Sequence, residues 1–181
     1  LTAGGDNSST TVSGVILGEG GFTKAGAGIT TFSGDNAYTG ATNINEGILQ
    51  VTGSLSDSTA VTVASRAAYV VDSTDTIGSL AGAGSVDLAS EFTLTAGGDN
   101  SSTTVSGVIL GNGGATKGGA GLSAFSGDTV KTGAKNINKR ILQVTGSLRD
   151  STAVNVARSA AYVSDSTDTI DSIAGTGSVD P

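Results

Sequence analysis

Residues Gly18 to Val51 read GEGGFTKAGAGITTFSGDNAYTGATNINEGILQV, and residues Gly111 to Val144 read GNGGATKGGAGLSAFSGDTVKTGAKNINKRILQV. The second stretch copies the first with scattered substitutions. Outward from it, LTAGGDNSSTTVSGVILG runs from Leu1 to Gly18 and returns unchanged from Leu94 to Gly111, which sets a period of 93 residues. The register holds to the end, so the 181 residues divide into a first copy at 1–90, a junction at 91–93 and a second copy at 94–181. About three-quarters of the paired positions are identical, and repeats this close share one backbone path as one continuous solenoid.

Inside the quoted stretch Leu49 and Val51 alternate with Gln50, and Thr30 and Phe32 with Thr31. A period of two is that of a strand, so Leu49 and Val51 face a core and Gln50 faces water. Similar runs recur at 30–32, 49–51, 69–71, 94–96, 123–125, 142–144 and 162–164, each followed by a second β-like cluster and corners of Gly, Asp, Asn and Ser. No stretch keeps a helical period, because Gly interrupts every candidate. Each coil reads as strand, turn, strand, turn, and a coil buries its apolar side only by stacking on its neighbours. The expected fold is therefore all-β: a parallel β-helix (β-solenoid) of about seven or eight coils, a rod on the order of 35 to 40 Å long at the spacing of stacked strands.

Composition narrows the chemistry. The chain has 29 Gly and one Pro, and Cys, His, Met and Trp are absent. That leaves no disulfide framework, no thiolate nucleophile, no imidazole metal ligand and no Ser–His–Asp relay. With aromatics at 4%, the core must be built from Val, Ile, Leu and small residues over an extended surface. No apolar run approaches the roughly 20 residues of a membrane span, so membrane insertion is not expected. The chain opens inside a repeat without a signal peptide and reads as a fragment or processed product.

The spaced residues Gly18, Gly20, Gly21, Lys24, Gly26, Gly28, Ser33, Gly34, Asn36, Tyr38, Gly40, Thr42, Gly47, Leu49 and Val51 resemble the autotransporter-associated β-strand repeat. The resemblance implies a right-handed β-helical passenger segment of a Gram-negative surface protein, outside the cell, secreted through a barrel that this chain lacks. The departures are informative. Thr30 and Ser123 put hydroxyls where the pattern has inward Leu, and each must find a partner or cost about 1 to 3 kcal/mol. In the second copy the pattern's Asn, Tyr, Thr and Gly become Thr129, Lys131, Lys135 and Arg140, and the apolar position of Phe22 becomes Ala115. A corner Arg140 is tolerable if that corner needs no positive φ.

The first copy is acidic and the second close to neutral. Lys131, Lys135, Lys139, Arg140, Arg149 and Arg158 stand where the first copy has Tyr38, Thr42, Glu46, Gly47, Ser56 and Ser65. Lys139, Arg140 and Arg158 would fall near one corner on adjacent coils. The sharp reading is a partner-binding stripe; the plain one is solubilising charge at exposed turns. Nucleic acid is not expected, since no aromatics interleave. Acidic turns at Asp6, Asp99, 72–75 and 165–168 lack calcium-loop spacing and read as turn formers. Asn43, Asn45, Asn136 and Asn138 either stack as amide ladders or sit outward.

The expected function is non-enzymatic, with no cofactor, metal or catalytic residue: a rigid stalk with an adhesive or self-associating surface, whose partners are other copies meeting at open β edges or cell-surface macromolecules. Two alternatives stand beside it. One is an engineered tandem scaffold, because Glu91–Phe92 at the junction is a dipeptide that a common cloning site encodes; the other is a carbohydrate-active β-helix using carboxylates such as Asp72.

Overall fold

A computed structural model describes residues 1–130, 132–148 and 152–181. Short runs with alternating burial become strands, and every strand pair is parallel, as expected when each turn of chain stacks on the last. Phe32, Val51, Val71 and Leu88 occupy one inward column in register across four turns, each no more than 1% exposed. Leu49 and Val51 point in and Gln50 points out. Burying each such side chain contributes about 1.5 to 3 kcal/mol, and no helix occurs among the described residues.

Three sheets wrap the core. The first runs through Thr2–Ala3, Phe22–Lys24, Thr42–Ile44, Ala60–Val63, Ser79–Gly82, Thr103–Val105, Ser123–Phe125, Arg140–Val144, Ala160–Ser164 and Ser178–Asp180. The second stacks Thr10–Val12, Ile29–Phe32, Gly47–Val51, Ala67–Val71, Ser85–Leu88 and Ile109–Gly111. The third stacks Asp75–Ile77, Thr93–Ala96, Gly114–Lys117, Lys135–Ile137, Ala153–Val156 and Ser172–Gly175. The ten strands of the first sheet enclose nine turns of solenoid, about 43 Å from first strand to last at a spacing of about 4.8 Å.

Nine turns slightly exceed the seven or eight expected, because a turn has three sides rather than two and is correspondingly short. Registers such as Phe22↔Thr42 and Thr42↔Val61 give turns of 20 and 19 residues. The third side of the early turns was hidden in the sequence because it is held by isolated contacts. Asp35 bridges Ser54, and the Ala37 and Thr39 amides donate to the carbonyls of Ile16 and Gly18.

The repeat and the turn are incommensurate. Ninety-three residues at about twenty per turn make about four and two-thirds turns, so each equivalent strand of the second copy falls one side short of its counterpart. Phe22–Lys24 lies in the first sheet and its equivalent Gly114–Lys117 in the third; Gly47–Val51 lies in the second and Arg140–Val144 in the first. The first sheet crosses the junction through the pair Gly82↔Val105, so the copies share one wall although their faces are rotated by about 120°.

Candidate partner-binding corner

The corner entering the strand Arg140–Val144 is where charge gathers. In the first copy Gly47 turns it at φ 66°, and Arg140 adopts φ 57°. The corner therefore keeps its left-handed conformation, and Arg140 carries the strain that a Gly avoids, about 1 to 2 kcal/mol. Its amide donates to the Ser159 carbonyl at 3.2 Å and its Nε to the Ala120 carbonyl at 2.9 Å, which anchors the guanidinium between two turns. Arg140 and Arg158 line one open groove of about 550 Å³ together with Ser159, Ala160, Thr176, Gly177 and Ser178. Lys139, next to Arg140, is exposed.

The other basic positions separate from this corner. Lys135 lies inside the solenoid, 1% exposed, because it stands in the inward column of Ala115 and Val154 and shares parity with Ile137. Lys131 and Arg149 lie outside the described residues. The structure thus brings Lys139, Arg140 and Arg158 together and turns Lys135 inward. The inward parity of Lys135 was readable from Ile137 two places on; its charge argued the other way.

Two further lysines are interior. Lys24 is fully buried, and its ammonium donates to the carbonyls of Ala25 and Gly26 at 2.6 Å and of Glu46 at 3.4 Å. Lys117 repeats the arrangement with Gly118 and Gly119. Burial pushes both pKa values down, and for Lys117 the neighbouring charge of Arg140 adds to the effect. These lysines close corners by satisfying carbonyls that a turn would otherwise leave unpaired.

The carboxylates are occupied with local structure. Asp6 and Asp99 accept from the amides of Ser8 and Ser101. Asp72 accepts from Gln50 Nε2 at 2.5 Å and Asp165 from Gln143 at 2.6 Å. Asp168 accepts from Ser166 Oγ at 2.7 Å. Asp75 is buried and accepts from the amides of Leu55 and Thr76; burial raises its pKa to about 6. Among the described residues no three acidic or imidazole groups converge as a metal site would require. Asn155 donates to Asn136 on the outer face, a short amide ladder of the kind considered for these asparagines.

The described chain contains a cavity of about 50 Å³ beside Ala115, Ser123 and Phe125. In the first copy the same space holds the phenyl ring of Phe22, packed on Phe32.

Together, three-sided parallel coils, buried corner lysines and an interior of β-branched residues define a β-solenoid segment. A family model described as the passenger-associated-transport-repeat matches residues 22–51, which cover the strands from Phe22–Lys24 to Gly47–Val51 and include Lys24, Asn36, Tyr38 and Gly47. Over residues 22–51 the fold and the match fit such a passenger repeat. No curated protein and no solved structure matches the chain.

Proposed function

We propose that the chain is a non-enzymatic structural stretch of an autotransporter passenger, displayed outside a Gram-negative cell, where it acts as a rigid stalk with adhesive and self-associating contacts. The observation that carries this reading is the first sheet, whose ten strands pass through the junction of the copies without a break. A wall of that kind transmits load along the rod and has no hinge at the junction. Self-association is the second part of this reading: stacked parallel strands are a surface on which a further strand can pair. The same continuity would serve an engineered display scaffold joined at Glu91–Phe92.

Small-angle scattering with light scattering over a concentration series tests the proposal. The expected result is a stiff rod whose mass grows with concentration while its cross-section stays constant. A compact particle, or two rods flexibly joined, overturns the stalk; constant monomer mass overturns self-association.

A further inference from the structure

We propose that the groove at Arg140 and Arg158 binds an anionic polysaccharide, gripping its sulfate or phosphate groups with the two guanidinium groups. The groove itself belongs to the fold. The corresponding corner of the first copy forms one of about 510 Å³ between Gly47, Arg66 and Gly84. What differs is its lining. Glu46, Gly47 and Ser65 of the first copy become Lys139, Arg140 and Arg158. Residues 139–140 and 158 are far apart in sequence, yet they fall on adjacent turns of one corner, since Arg140 is in register with Ala160.

Chemistry fixes the class of ligand. Among the described residues lining the groove there is no carboxylate, so nothing there neutralises the arginines. Nε of Arg140 is held by Ala120, which orients the fork and leaves its terminal nitrogens for a ligand. Arginine forks suit the paired oxygens of sulfate and phosphate. Ser159, Thr176 and Ser178 line the same groove, and hydroxyl-bearing residues suit a sugar chain. The groove follows the rod axis, crossing three turns in register at Ile141, Ala161 and Ser178, so an extended polymer fits it. No aromatic side chain lines it, and base stacking therefore has no platform. Arg140 also keeps a strained φ of 57° where Gly serves in the first copy, and retained strain is a mark of a functional position.

This site names a ligand class for the adhesive role proposed above and rests on that reading. The test measures binding of the full chain to heparin, dextran sulfate, neutral dextran and duplex DNA at rising salt. Wild type is expected to bind the two sulfated polymers, to release them as salt screens the charges, and to ignore neutral dextran. The triple variant Lys139→Glu, Arg140→Gly, Arg158→Ser carries residues that the same corner accepts in the first copy and so folds; its heparin affinity is expected to fall at least about tenfold. Unchanged affinity in the triple variant, or no binding by wild type at low salt, overturns the site. Binding to duplex DNA as tight as to heparin overturns the polysaccharide assignment. None of these results touches the stalk, which fails only by scattering.

Discussion

Phe22 and Phe32 meet edge to face with ring centroids 4.8 Å apart and planes inclined at 61°, and the second copy holds Ala115 and Phe125 at the same two positions. Phe32 is fully buried, whereas Phe125 is only half-buried beside the 50 Å³ cavity. The lost ring and the cavity are one event. At about 24 cal/mol per Å³ the void costs about 1 kcal/mol. Ala115→Leu is expected to raise stability by about that amount, read as the urea midpoint, and Phe22→Ala to lower it by about 3 to 5 kcal/mol. A destabilised Ala115→Leu protein would mean that the site cannot accept the added volume.

Asn36 shows what its counterpart lacks. Its Oδ1 accepts from the Ile16 amide, and its Nδ2 donates to the carbonyls of Gly34 and Ser54. Thr129, the equivalent residue, buries a hydroxyl without a hydrogen-bond partner. Thr129→Asn is expected to stabilise the fold by about 1 to 3 kcal/mol, measured by thermal and urea unfolding. The reverse change, Asn36→Thr, should cost a similar amount.

The left-handed corner gives an asymmetric pair. Arg140→Gly removes the backbone strain and is expected to add about 1 kcal/mol. Gly47→Arg should cost more than that gain, because a Cβ there meets the carbonyl oxygens of Gly26 and Gly28 at 2.5 Å. Equal and opposite shifts in unfolding free energy would contradict the contact.

Asp75 makes stability fall with rising pH. Its pKa is about 6 in the folded chain against 3.8 unfolded, so the folded state holds the extra proton between those values and loses that advantage as pH rises through 6. The contribution is up to about 3 kcal/mol. Subtracting the pH profile of Asp75→Asn from that of wild type should leave a difference that declines from about pH 4 to pH 6 and is flat above. A difference that rises over that range would reverse the assigned direction.

Much of this was legible in the residues. Alternation at 49–51 and 30–32 placed each side chain on its correct face, including the inward Thr30, whose hydroxyl is buried without a partner. The third side was not legible, because segments such as 35–39 bond by isolated bridges and an asparagine clip rather than by an apolar run. Residues 77–80, taken as one cluster, are cut by a corner at Gly78 into Asp75–Ile77 and Ser79–Gly82. Corner geometry at Arg140 stayed a condition in the sequence, since nothing there reveals that an arginine carries a positive φ. The buried lysines share parity with apolar neighbours, Lys24 with Phe22 and Lys135 with Ile137, but an ammonium group reads as outward, and for Lys24 the carbonyls that hold it come from a corner no pattern marks.

The mismatch between repeat and turn makes copy number an angular variable. Adding or deleting one copy turns everything beyond it through a third of a revolution without altering a single residue, and only the fourth copy faces the same way as the first. A longer array would carry its recognition corner around the shaft like the thread of a screw, so that whichever flank lay against a neighbouring surface, some copy would present that corner to it.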